Sequence, residues 1–149
     1  MQKPILTWYV KLPTELEHTA TNEKYLGTAS SLHSIEVSLR LWNNRYGKED
    51  VADLKSFAIR LSFSSLEDSA LLKFCALKMN NVPLEGQIVG GRLIFSVASG
   101  VQLSGKANNG LTADNGANFK DFVLTITIPK DAQLKENDLK NLFAEVVYI

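Results

Sequence analysis

Ser34-Ile35-Glu36-Val37-Ser38-Leu39-Arg40-Leu41-Trp42 and Phe57-Ala58-Ile59-Arg60-Leu61-Ser62-Phe63 decide how this chain is read. In the first run Ile35, Val37, Leu39 and Leu41 alternate with Glu36, Ser38 and Arg40, and Trp42 closes it. In the second, Phe57, Ile59, Leu61 and Phe63 alternate with Ala58, Arg60 and Ser62. Successive side chains of a strand leave opposite faces of the sheet, so a period of two marks a strand with one buried face. The link between the runs is polar and rich in asparagine and charge. It is too long for a two-residue hairpin, so the two strands are either neighbours or members of opposite sheets.

Working outward, the same signals recur. Residues 5–12 predict a first strand that Pro13 ends, because proline cannot donate to a ladder. Residues 14–31 read as a long polar connection. Residues 65–72 and part of 131–142 predict short helices, the former from a serine followed three residues later by an acid. Residues 72–80 read as a strand and Asn80-Asn81 as a turn. Residues 87–89 and 92–98 flank Gly90-Gly91, a hairpin signal. Residues 122–128 alternate cleanly up to Pro129, and 143–149 predict a last strand. Strands separated by turn signals, with little helix, predict an all-β fold. The expectation is one domain over residues 1–149, a two-sheet β-sandwich of jelly-roll or immunoglobulin-like type with one or two short helices.

Composition narrows function by exclusion. The 149 residues carry 16 basic and 16 acidic side chains and no formal net charge. No overall field is therefore available to attract nucleic acid or an anionic membrane, and neither is expected as a partner. No apolar run approaches the roughly 20 residues of a membrane-spanning helix. Lys11 and Pro13 interrupt the first apolar stretch before it could serve as a secretory leader, so synthesis in a cytosol is expected. One cysteine, Cys75, excludes an internal disulfide, and its apolar neighbours mark a small buried hydrophobe.

No constellation stands out as catalytic, and no metal or cofactor is expected. His18 and His33 lack ligand spacing. Glu49, Asp50 and Asp53, and Glu67 with Asp68, sit where turns and helix starts need acceptors for backbone N–H groups. Asp114, Asn115, Asn118 and Asp121 offer hard oxygens, but their spacing does not match a calcium loop and asparagine beside glycine is ordinary turn chemistry. Two stretches point to contact with other molecules. Trp42, Asn43, Asn44, Arg45 and Tyr46 combine residue types enriched at binding surfaces, for a protein partner or for a glycan stacked on an aromatic ring. The other reading of this cluster is that Trp42 ends a core strand and Tyr46 packs under the turn. The small, polar run 100–121, with Lys106, Asn108, Asn109, Asp114 and Asn118, reads as a flexible contact loop. It has few apolar groups to offset the entropy of ordering, so cleavage near Lys106 is expected in the isolated chain.

The run from Ile35 through Trp42-Asn43-Asn44-Arg45-Tyr46-Gly47-Lys48-Glu49-Asp50 to Val51 resembles a pattern in small β-sandwich virion proteins of tailed bacteriophages. There a strand ends in Trp-Asn and a Gly-x-Glu-Asp turn follows. The strand from Phe122 to Pro129 and the Asp138-Leu139-Lys140 stretch are similar to the same group. The resemblance implies a baseplate, fibre-base or capsid-decoration subunit, localised to the virion. Its partners would be other copies of itself and other virion proteins. The resembling motifs are structural, so no catalytic residue is carried over. A carbohydrate-binding module using the Trp42–Tyr46 tip is the alternative.

Overall fold

The computed structural model describes residues 2–12, 14–19, 23–27, 34–63, 72–98, 100–127 and 142–148. The fold is all-β. Among the described residues helix is confined to 3-10 turns at 72–74 and Gly116–Asn118. The helices expected within 65–72 and 131–142 otherwise fall outside the described residues.

The strands are β1 (Leu6–Leu12), β2 (Thr14–Thr19), β3 (Glu23–Gly27), β4 (Ser34–Asn43), β5 (Leu54–Lys55), β6 (Phe57–Phe63), β7 (Cys75–Met79), β8 (Val82–Pro83), β9 (Gly86–Val89), β10 (Arg92–Ser96), β11 (Gln102–Leu103), β12 (Phe119–Thr127) and β13 (Leu142–Tyr148). Two antiparallel sheets run β2-β1-β4-β12-β7-β8 and β3-β13-β6-β10-β9, and β5 pairs separately with β11. The two strands that organise the sequence therefore belong to different sheets, β4 to the first and β6 to the second. The expected polar connection over 14–31 carries β2 and β3 instead. Each lies at the rim of a sheet, where a polar strand can pair on one side without a buried face.

Alternation does what it promised at the centre. Leu39 and Leu41 of β4 and Phe122, Leu124 and Ile126 of β12 share one buried cluster with Phe57, Ile59 and Leu61 of β6, Leu93 and Phe95 of β10, and Val146 of β13. The longest register joins β4 to β12, from Phe119 opposite Trp42 to Thr127 opposite Ser34. Both short hairpins use the turn chemistry their residues allow. Asn80 and Asn81 (φ 48° and 67°) turn β7 into β8, and Gly90 and Gly91 (φ 58° and 76°) turn β9 into β10. Two successive positive φ values match the right-handed twist of the flanking strands, and asparagine and glycine reach them at least cost.

The outer face of β4 is also covered at its C-terminal end, at Arg40 and Trp42, which the polar half of its alternation did not predict. Arg40 is buried and forms a two-pronged ion pair with Asp121, the residue opposite it on β12, with N–O distances of 2.7 and 3.1 Å. Its guanidinium lies 4.4 Å from the Phe119 ring centre, and Trp42 packs on Phe119 at 4.8 Å. A fork-to-fork pair with an aromatic lid is a geometry in which a buried arginine is satisfied.

Candidate functional site

β4 runs out at Asn43, and the chain then turns through Asn44, Arg45 and Tyr46 into the 47–53 segment. Asn44 and Tyr46 both take positive φ, 58° and 61°. Asparagine does this readily, whereas tyrosine does so only when its surroundings hold it there. The hold comes from the 104–110 segment. The Tyr46 amide donates to Asn108 Oδ1 at 3.1 Å, and the Tyr46 ring lies where a side chain on Gly110 would stand, 2.1 Å from that position. Gly110 can occupy the place because it has no side chain and adopts φ 75°.

Asparagine side chains tie the segments together. Asn43 is fully buried: its Oδ1 accepts from the Ile5 amide at 3.0 Å, and its Nδ2 donates to Ala52 O and Leu103 O at 3.0 and 3.2 Å. Asn44 Nδ2 donates to Glu49 O and Gly105 O, both at 2.8 Å. Asn108 Nδ2 donates to Asn44 O at 2.7 Å and to Lys106 O at 3.0 Å. Asn118 Nδ2 donates to Ser104 O and Lys106 O at 2.9 and 3.1 Å. The carboxylates join in as acceptors: Asp53 takes the Gly105 amide and Asp50 the Ala107 amide, each at 2.8 Å. Gly105 needs its bare Cα, since a side chain there would stand 2.1 Å from Val51 O. Apart from the bond from Asn43 to Leu103 in β11, each of these side-chain amides bonds backbone groups outside the strands, which is how an irregular loop satisfies its buried polar atoms.

Arg45 fastens the outside of this knot. Its guanidinium carbon lies 4.5, 4.6 and 4.9 Å from the ring centres of Tyr9, Trp42 and Tyr46, and its Nε donates to Gly110 O at 3.1 Å. Tyr46 stays 59 % exposed, and Leu111, just past Gly110, is 55 % exposed.

These positions correct the sequence expectation in two respects. Of the proposed contact tip, Trp42, Asn43 and Asn44 are buried, Arg45 is half-buried against three rings, and Tyr46 is the one exposed residue. Trp42 stands at the end of a packed strand, as the other reading of the cluster has it, whereas Tyr46, expected there to pack under the turn, stays 59 % exposed. The 100–121 run, expected to be loose for want of contacts, is instead bonded along much of its length. Lys106 presents its carbonyl to Asn108 and Asn118, Asn118 is itself buried, and Asn109 donates to Asp114 Oδ2 at 3.1 Å. Composition led the expectation astray because polar side chains offset ordering entropy through hydrogen bonds as well as through burial.

Asp121 is held by Arg40, and Asp50 and Asp53 by backbone amides. Burial pushes the Cys75 thiol from its ordinary 9.0 up to about 12, so it is a poor nucleophile. Among the described residues no group of three or more His, Cys, Asp or Glu is placed to hold a metal ion. His33, Glu67 and Asp68 lie outside the described residues, and for His18 only its place on β2 is described.

A different feature went unread in the sequence. Among the described residues β9, Gly86-Gln87-Ile88-Val89, ends the second sheet and is exposed along its whole length, with Ile88 49 % and Val89 52 % exposed. β8, which ends the first sheet, precedes it by two residues and exposes Val82. An open groove between β7 and the β9–β10 hairpin, lined by Cys75, Leu84, Ile88, Leu93 and Phe95, lies beside this edge. The available signal was adjacency: Ile88 and Val89 leave opposite faces of one strand, so both cannot face a single core.

No family model matches the chain, and comparison with curated proteins yields no match.

Proposed function

We propose that this chain is a non-enzymatic structural subunit that assembles through a sheet edge, and that the assembly is a phage-like particle. One observation carries the assembly: the β9 edge. Sheet edges offer unpaired backbone donors and acceptors, and proteins that remain monomeric blunt them with charge, proline or a bulge. Residues 86–89 hold no charge and no proline, and their register with β10 is unbroken. Addition of a strand there extends the sheet, while Ile88 and Val89 gain cover on its two faces. The absence of net charge removes repulsion between copies.

The particle is supported by the resemblance of the 35–51 run to phage sandwich proteins. A glycan reading has less to stand on, since Trp42, Asn43 and Asn44 are buried and Tyr46 is the one exposed ring of that cluster. Ile88→Lys tests the edge. The exposed substitution leaves the core intact, so far-UV circular dichroism should be unchanged while sedimentation shows the assembly dissociated. An assembly that survives the lysine places the seam elsewhere.

A further inference from the structure

The chain contains two Asn-Gly pairs, Asn109-Gly110 and Asn115-Gly116, six residues apart in one loop. The pair is chemically reactive because a glycine amide nitrogen meets no side-chain obstruction as it approaches the preceding side-chain carbonyl carbon. The structure treats the two pairs differently. At the first, the attacking nitrogen is occupied: the Gly110 amide donates to Asn108 Oδ1 at 2.9 Å, Gly110 is buried, and the Tyr46 ring lies against it. Both asparagine side chains are held, Asn109 by the Leu111 amide at 3.1 Å and by Asp114, and Asn115 by Leu111 O and Asn109 Oδ1, so the difference between the pairs lies at the glycine nitrogens. At the second pair Gly116 is exposed, and a side chain built on it would meet nothing within 4 Å. Its amide opens the three-residue 3-10 turn, where an N–H has no acceptor within the turn.

We propose that Asn115 is a site of spontaneous deamidation and isoaspartate formation, and that Asn109 is protected from the same reaction by the fold. The Gly116 nitrogen attacks Asn115 Cγ; the new N–Cγ bond closes a five-membered succinimide as the Cγ–Nδ2 bond breaks. The amide proton goes to the departing nitrogen, which leaves as ammonia. Water then opens the ring. Cleavage of the bond to Cγ gives aspartate, and cleavage of the bond to the backbone carbonyl gives isoaspartate, with no change of oxidation state.

The product reshapes the loop. Asn115 Nδ2 donates to Leu111 O at 2.8 Å and to Asn109 Oδ1. After conversion a carboxylate faces those two acceptors, so both bonds are lost and like partial charges oppose each other. Residues 109–115, which present the exposed Leu111 beside Tyr46, are thereby loosened with age. The inference does not depend on whether this surface meets a partner.

The test is peptide mapping by mass spectrometry of the intact chain held in mildly alkaline buffer at physiological temperature, alongside the same chain in denaturant. In denaturant both asparagines should convert. In the folded chain Asn115 should convert and Asn109 should lag behind it about tenfold or more, because its glycine must first give up a buried hydrogen bond. Gly116→Ala, which the open space around that position accommodates, should slow conversion at Asn115 and leave Asn109 as it was. Equal rates at the two sites in the folded chain, or an Asn115 that persists while the denatured chain converts, would overturn the proposal.

Discussion

At the scale of single residues, the chemistry of this chain lies in its asparagines. Asn43 uses both amide protons and its carbonyl oxygen, joining residue 5 to residues 52 and 103. Replacing it with leucine keeps the volume and orphans buried backbone groups. The expected cost is about 2–5 kcal/mol, read from chemical denaturation. Asn43→Asp should be less severe at low pH than at neutral pH, because only the protonated carboxyl regains a donor. Cys75 gives a second prediction. The unfolded thiol ionises around its ordinary 9.0 and the folded one around 12. Between those values unfolding releases a proton, so this group lowers stability as pH rises through that window and contributes nothing below it. Stability measured against pH should therefore fall less steeply in Cys75→Ala than in the parent chain. A parallel pair of curves would mean the thiol is not held protonated. The apolar neighbours of Cys75 mark its burial in the sequence, whereas the roles of the asparagines are not legible there. An Asn-Asn pair after a strand signals a turn, but which distant carbonyls its amides meet depends on tertiary structure.

At the scale of elements, alternation proved a reliable guide where one face of a strand is buried and a poor one at the rims. β6 falls on residues 57–63 as its period requires, and β4 extends the expected strand by one residue, to Asn43. Leu39 and Leu124 sit in the shared core, so Leu39→Ala or Leu124→Ala should each cost about 2–5 kcal/mol through lost burial and a residual cavity. A loss near zero at both would displace the core from between the sheets. β2 and β3 escaped notice because Thr14-Glu-Leu-Glu-His-Thr and Glu23-Lys-Tyr-Leu-Gly are too polar to announce a buried face. β12 begins three residues before its apolar alternation, since Phe119, Lys120 and Asp121 pair with Trp42, Leu41 and Arg40. The 104–118 loop yields a prediction opposite to the one its composition invites. With the Ala107 amide held by Asp50 and the Lys106 carbonyl by Asn108 and Asn118, trypsin should cut slowly after Lys106 in the isolated chain. Asp50→Ala should speed that cut without unfolding the sheets, and rapid cleavage of the parent chain would return the loop to the loose state its composition suggests.

At the scale of the whole molecule, the described residues form two main sheets around one core, and among them an uncharged strand is left open at the end of one sheet. Asp50 and Asp53 accept from backbone amides of the 105–107 stretch, and Asp121 accepts from Arg40 across the β4–β12 pair. In the proposed assembly the contact is backbone at β9, with the exposed Ile88 and Val89 on either side of it and Val82 close by in sequence. The central claim is that such an edge belongs in an assembly of copies. Sedimentation equilibrium of the purified chain over a wide concentration range tests it most directly. The account predicts a discrete species at a whole multiple of 16.5 kDa. A 16.5 kDa monomer at every concentration would contradict it.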